Sequence, residues 1–410
     1  MTRTERQILG VNKWKESNGR ATLCWATGCG KTNGACIAIN RVLKIAPDAI
    51  IKIIVPTKVL KDQWNKVINK LNISGNIEIL IIHSAIKKKF KCNFLIIDEV
   101  HKVASELFSK LFLNCNPRLI LGLTATYERL DQREKIILDK YCPVCDTITI
   151  KEATENGWLS SYKEYQVLID VDLSEYDKAN QEFLNHFAFF NYNFNEALQT
   201  VTNIWKQQKI AKEKNCTIKE VKAHAMSWMR ALKFRKSFIA NHPIKLEYAK
   251  KILEYRKNCK AITFNSNIKQ CESYGFGYIV HSKKSKKKNQ MTLEEFSKCS
   301  SGNVIHSSKM LIEGLDCAGL NLAIITGFNS SNTTKIQEIG RCIRYEPDKK
   351  VEIFTLVLKG TVEEKWYQKS MKDLYYISLN ESDLMKVLNN EELINKELKT
   401  GFDNNSLLRL

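Results

Sequence analysis

The chain has 410 residues, 44% of them hydrophobic, and its 64 Lys and Arg outnumber 44 Asp and Glu to give a formal charge of +20. That length suits two or three domains with a sizeable core, and the charge suits either a polyanionic partner or a solvated lysine-rich surface. No apolar run approaches the ~20 residues of a membrane span, the start MTRTERQILG lacks a signal peptide's apolar core, and thirteen scattered cysteines read as reduced thiols, so a soluble cytoplasmic protein without a membrane partner is expected.

From about residue 20 to 126, the apolar runs ATLCWA, AIIKIIVP, IEILIIH, FLIIDE and LILGLTA alternate with amphipathic segments. That pattern predicts a parallel sheet flanked by helices. Within it LCWATGCGKT, residues 23 to 32, sets a strand before a Gly-rich turn and opens a helix at Lys31 and Thr32. Gly28 and Gly30 let backbone N–H groups converge on phosphate oxygens, Lys31 would reach the terminal phosphates, and Thr32 would hold Mg²⁺. The first glycine of the general phosphate-loop expression is absent, and Trp25 stands in its place. Further on, FLIIDEVHK ends a strand in Asp98 and Glu99, expected on a neighbouring strand of the same sheet. There Asp98 would hold Mg²⁺ through its water shell and Glu99 would orient or deprotonate an attacking water. Either motif alone is a common solvated turn or strand end; the two together predict ATP hydrolysis. Cys142 and Cys145 form a single CxxC, which falls short of a zinc site.

From about 175 to 257 helical patterning replaces the β signal, as where Ile244, Leu246, Ala249 and Ile252 recur at helical spacing. This strongly basic stretch predicts a helical insertion within or before a second lobe, with Trp205, Trp228, Phe234 and Phe238 as core rather than as stacking platforms. The lysine run HSKKSKKKNQ, 281 to 290, reads as an exposed loop. KAITFNS, GYIVHS, NVIHSS, LAIITGF and VEIFTLVL then repeat the α/β pattern, and the tail after about 361 reads as helical. In QEIGRCIRYEP, residues 337 to 347, Arg341 and Arg344 share one face of a short helix without an obvious common carboxylate, a pair set for an anion.

Taken together these motifs resemble the superfamily 2 helicases and translocases of the DExH group. Trp25 to Thr32, including Thr27 and Cys29, is similar to their motif I; Asp98, Glu99, Val100 and His101 to motif II; Thr124, Ala125 and Thr126 to motif III, which couples hydrolysis to movement; Pro56 and Thr57 to motif Ia. AITFNSN resembles motif IV, Ser307, Glu313, Gly314 and Asp316 resemble motif V, and Gln337, Gly340, Arg341 and Arg344 resemble motif VI. Gln7 sits where the family's adenine-reading glutamine is expected, although Thr4 occupies the slot of its usual upstream arginine. KEATENGWLS, 151 to 160, is similar to the lobe-joining segment of the branch that includes UvsW-like phage helicases, XPB-like helicases and restriction-enzyme motors.

The resemblance implies two tandem RecA-like lobes: lobe 1 over 1–150, a joining segment over 151–174, the helical insertion over 175–257, lobe 2 over 258–360 and a short helical tail over 361–410. It implies ATP and Mg²⁺, with Lys31, Asp98, Glu99, Gln337, Arg341 and Arg344 catalytic and Gln7, Thr27, Gly28, Cys29, Gly30, Thr32, Gly314 and Asp316 around the nucleotide. Pro56, Thr57, Asn265, Ser266 and Ser307 would touch nucleic acid, and His101, Thr124 and Thr126 would couple hydrolysis to movement. The implied activity is that of a monomeric DNA helicase that unwinds or remodels branched DNA, as in recombination and repair. A duplex translocase without strand separation, an RNA helicase, and a nucleotide-gated clamp with a silent ATPase are the alternatives.

Overall fold

The computed structural model describes residues 1–127, 132–308, 318–327, 339–340, 342–372, 374–394 and 396–401. Helix α1 (Arg3–Glu16) leads into six strands: β1 (Arg20–Trp25), β2 (Ile51–Val55), β3 (Ile77–Ile81), β4 (Phe94–Asp98), β5 (Leu119–Thr124) and β6 (Val144–Ile148). They form one parallel sheet in the order β3-β2-β4-β5-β1-β6, and α2 (Lys31–Ile45), α3 (Lys58–Lys70), α4 (Ile82–Ala85), α5 (Leu111–Asn114), α6 (Arg133–Tyr141) and α7 (Ile150–Glu155) make the connections. The apolar run of β4 follows from burial on both faces. Phe94 and Ile96 enter the core shared with α2 and α3, while Leu95 and Ile97 enter a second core with Val100, Leu111 and Leu138. The phosphate-loop strand and the Asp98 strand are not neighbours as expected: β5 runs between them, which puts Thr124 at the sheet edge between the two motifs.

The second sheet contains β7 (Ser161–Ile169), β8 (Ala261–Asn265), β9 (Tyr278–Val280), β10 (Val304–Ser308), β11 (Leu322–Ile325), β12 (Lys350–Leu358), β13 (Tyr375–Leu379) and β14 (Lys399–Thr400). Its order is β14-β13-β7-β12-β11-β8-β10-β9, parallel except for the two-residue β14. Segment 151–174 is therefore more than a joint, because β7 pairs with β12 in register from Ser161↔Lys350 to Ile169↔Leu358. Its polar residues hide the strand in sequence. Glu164 is buried and accepts from Thr355 Oγ1 at 2.7 Å and Tyr367 Oη at 3.0 Å, and Gln166 accepts from Ser378 Oγ at 3.0 Å. The tail likewise holds helices Val362–Ser370 and Glu381–Leu388 but also β13, which pairs with β7.

The insertion, α8 (Ser174–Phe189), α9 (Phe194–Thr200), α10 (Ile204–Glu213), α11 (Ile218–Asn241) and α12 (Ile244–Tyr255), falls between two strands of the second sheet. Phe183, Phe190, Ile210, Val221 and Trp228 form its core, and the fully buried Lys245–Glu363 ion pair fastens α12 to the lobe. Of the four aromatics expected inside, Trp228 is buried and Phe238 packs on the second-lobe core, but Trp205 is 78% exposed and Phe234 42%. The cause lies in α10, which buries Gln207, Ile210 and Ala211 and so turns residue 205 outward. Helix α13 (Ile268–Glu272) follows β8, and α14 (Lys286–Lys298) opens inside the lysine run, whose lysines at 286 to 288 stay exposed. Among the described residues no helix is long and apolar enough to cross a membrane.

Trp25, standing where a phosphate loop usually has glycine, is a buried wedge under the loop. A Cβ on Gly10 of α1 would come to 2.4 Å from its ring and one on Gly34 of α2 to 2.7 Å, so both helices need glycine to close on the indole. The indole N–H donates to buried Asp146 Oδ2 at 2.8 Å, and Asp146 also takes Arg6 Nη1 at 2.7 Å and Lys13 Nζ at 2.7 Å. Burial opposes ionisation there, yet the hydrogen bonds from Arg6, Lys13 and Trp25 hold the carboxyl below its ordinary range. A lowered folded value stabilises fully above the unfolded carboxyl pKa near 4 and is lost as pH falls through the folded one. Asp146→Asn should therefore cost about 3 kcal/mol at pH 7 in urea denaturation, with the deficit shrinking below about pH 4.

Candidate active site

The phosphate loop bends through two left-handed residues, Gly28 at φ 93° and Gly30 at φ 87°, before α2 starts at Lys31. Side chains rarely adopt those angles, so glycine is required at both. Gln7, buried in α1, braces the turn by donating Nε2–H to Cys29 O at 2.8 Å. It lies so close that a Cβ on Gly30 would come to 2.2 Å from Nε2. Lys31 Nζ donates to Trp25 O at 3.1 Å, back across the loop, and Thr32 follows in the first turn of α2. Burial pushes the Cys29 thiol up to about 11, which keeps it protonated and inert.

At the end of β4, Asp98 Oδ2 accepts from the indole of Trp64 at 2.9 Å and Oδ1 from the Glu99 amide at 3.0 Å. Burial, with the Glu99 charge beside it, pushes the Asp98 carboxyl up to about 6; the Trp64 hydrogen bond and the Lys31 charge pull it back. Glu99 adopts a left-handed φ of 52°, a conformation non-glycine residues hold only where their surroundings enforce it. Its Oε2 is buried, 3.4 Å from His101 Nδ1, and makes no hydrogen bond among the described residues. His101 Nδ1 also lies 3.0 Å from Thr124 Oγ1, which donates to Thr126 O at 2.6 Å and accepts from its amide at 3.1 Å. The structure thus brings His101, Thr124 and Thr126 together in one chain of contacts beginning at Glu99.

The second lobe reaches the loop directly. A Cβ on Gly28 would sit 2.8 Å from Leu159 Cδ2, 3.7 Å from Arg344 Cγ and 3.8 Å from Gly340 O, and one on Gly340 would sit 2.6 Å from Thr27 Cβ. Arg344 is held by a β-bridge to Leu159, and Ser160 pins the same segment, donating its amide to Ile343 O at 2.9 Å and its hydroxyl to Arg344 O at 3.0 Å. Gln337, Arg341, Gly314 and Asp316 lie outside the described residues. Trp64, Asp146, Leu159 and Ser160 were not singled out from sequence. Leu159 and Ser160 end the segment 151 to 160 that resembles the family's lobe-joining segment, while neither Trp64 nor Asp146 stands out from its neighbours in the sequence.

Pro56 and Thr57 follow β2 at the same sheet edge, partly exposed, and Thr57 caps α3 by accepting from Leu60 N at 3.4 Å. Two expected strand contacts are corrected. Asn265 is fully buried, donating to Thr263 Oγ1 at 2.7 Å and accepting from Tyr274 Oη at 3.0 Å, and Ser307 is 3% exposed. Both support the lobe from inside. Ser266 is placed differently: with Ser308, Asn267, Lys269 and Lys283 it lines an open cavity of about 840 Å³ closed on its other side by the α11–α12 corner.

The fold is similar to the helicase domain of Hef from Pyrococcus furiosus, with a TM-score of 0.53 over 88% of this chain and 96% of that one at 15% identity. Residues 2–93 and 78–129 match the family model described as type III restriction enzyme, res subunit, and residues 244–346 match that of the helicase conserved C-terminal domain. A curated relative, the DNA 3'-5' translocase XPB2 of Sulfurisphaera tokodaii, is 27% identical over 383 residues, 87% of this chain and 82% of its own. The chain belongs to the superfamily 2 helicases and translocases. These families are ATP-hydrolysing enzymes that act on nucleic acids.

In this superfamily 2 chain the approach of the lobes depends on space at Gly340, whose φ is not left-handed, so that alanine there is a steric change only. Gly340→Ala should lower steady-state phosphate release about a hundredfold while fluorescent-nucleotide binding stays within a fewfold of wild type. Wild-type turnover in that variant would mean that the close approach is not needed.

Proposed function

We propose that the chain is an ATP-dependent DNA helicase that unwinds or remodels branched DNA, driven by closure of the second lobe on a nucleotide held by the first. The observation that carries this is the contact of Gly340 and Arg344 with Thr27 and Gly28 across the lobes. ATP is the substrate, and the residues present fit it. The turn of Thr27, Gly28, Cys29 and Gly30 offers backbone N–H groups to phosphate, Lys31 offers a cation, and Glu99 Oε2 is a buried acceptor without a hydrogen-bond donor among the described residues.

In this mechanism Gln7 positions the loop and reads adenine, and Lys31 holds the terminal phosphates. Glu99 accepts the proton of the attacking water, and His101, whose Nδ1–H faces both Glu99 Oε2 and Thr124 Oγ1, relays the change in charge to the sheet edge. Thr32 and Asp98 would hold Mg²⁺, which when bound neutralises charge developing on the phosphates. A bound dication would also lower the Asp98 carboxyl from its raised value. Arg341 and Arg344 meet the γ-phosphate, with Gln337, Gly314 and Asp316 around it. Pro56, Thr57 and Ser266 hold a strand by its backbone, so binding would be sequence-independent and salt-sensitive.

The DNA translocase among the relatives favours DNA over RNA, while the formal charge of +20 suits either polyanion. The same relative's description as a translocase supports the second reading, movement along duplex without strand separation; strand displacement measured beside triplex displacement separates the two. The main test is phosphate release with and without forked DNA. Wild type should be stimulated, and Lys31→Ala and Glu99→Gln should each lose at least a hundredfold. An unstimulated rate retained by both variants would sink the proposal, and a response to RNA alone would move the substrate class.

A further inference from the structure

The outer face of the helical insertion carries a feature that ATP hydrolysis does not use. Helix α10 buries Gln207, Ile210 and Ala211 and leaves Trp205 78% and Ile204 58% exposed. Trp205, Lys209 and Lys212 stand at i, i+4 and i+7, so one exposed face of α10 presents an indole followed by two ammonium groups. The preceding helix α9 adds the half-exposed Phe194 and Leu198, one turn apart.

An exposed aromatic patch attracts either a protein or a nucleobase, and the flanking charge decides between them. Lysine is depleted in protein–protein interfaces, whereas aromatics beside cations are how single strands are held, each base offering a π-face and each backbone unit a negative charge. The lysines are open to such a ligand. Lys209 faces Glu213 at 3.5 Å, but the two side chains are 69% and 53% exposed, a contact that phosphate can displace. Neighbouring α11 adds Lys219, Lys222, Arg230, Lys233 and Lys236, all exposed, and its one acid, Glu220, is engaged in capping Thr217.

We propose that the outer face of α10 is a second nucleic-acid contact, where Trp205 stacks on an unpaired base at a junction or frayed end while Lys209 and Lys212 hold the adjoining phosphates. It rests on the proposed DNA motor and adds to it the element that distinguishes branched from fully paired substrate. The ATP site lies in other elements, so loss of this contact leaves hydrolysis intact.

The test compares Trp205→Ala, Trp205→Phe and Lys209→Ala/Lys212→Ala with wild type in anisotropy binding to forked and blunt duplex DNA, beside DNA-stimulated phosphate release. Trp205→Ala should weaken forked-DNA binding about tenfold, change blunt-duplex binding little, and be largely rescued by phenylalanine. The double lysine variant should flatten the plot of log affinity against log salt by about 1.5. Wild-type affinity for the fork in Trp205→Ala, with DNA-stimulated hydrolysis present in both proteins, overturns this inference alone. Absence of any stimulation in wild type overturns the motor proposal and this inference with it. A change in the oligomeric mass of Trp205→Ala, with fork binding unchanged, would make the patch a contact between copies and also overturn it.

Discussion

The two lobes meet where neither has a side chain to spare. Gly28 faces Leu159, Arg344 and the Gly340 carbonyl, and Gly340 faces Thr27, at separations that a Cβ on either glycine would close to 2.8 and 2.6 Å. A phosphate loop needs glycine for its backbone angles in any case; here Gly28 also needs it for the second lobe. That double demand ties nucleotide geometry to lobe geometry. Atoms brought to the loop must displace or tighten the same contact that carries Arg344.

The first lobe supports this contact with buried polar groups rather than with apolar packing alone. Asp146 gathers Arg6, Lys13 and the Trp25 indole, and the next residue along α1, Gln7, hydrogen-bonds the loop itself. Such a network is costly when incomplete, because each partner left behind is a buried unsatisfied group. It fixes the loop against α1 and β6, while on the other side of the site Glu99 keeps a strained backbone and a buried oxygen without a hydrogen bond among the described residues. The second lobe uses Ser160, on the segment after α7, to pin the backbone of residues 343 to 346.

The strands at the C-terminal sheet edges were legible because parallel strands buried on both faces read as continuous apolar runs, as in Phe94 to Ile97. The turn at Gly28 and Gly30 and the start of α2 at Lys31 followed from local chemistry. Strand β7 was not legible, since Glu164 and Gln166 interrupt its apolar pattern and find their donors on residues 355, 367 and 378. Asn265 and Ser307 were misplaced for a related reason: a polar residue at a strand end looks like a ligand contact until the buried partners that satisfy it are known. Trp205 was misjudged because α10 is too short for spacing to say which side faces the core.

The most direct measurement is nucleotide affinity and DNA-stimulated phosphate release for Arg344→Ala beside wild type. Closure of the second lobe on the phosphate loop predicts ATP binding within a fewfold of wild type and turnover lower by about a thousandfold. Weakened nucleotide affinity with turnover maintained would contradict it, and would make Arg344 a structural group at the lobe contact.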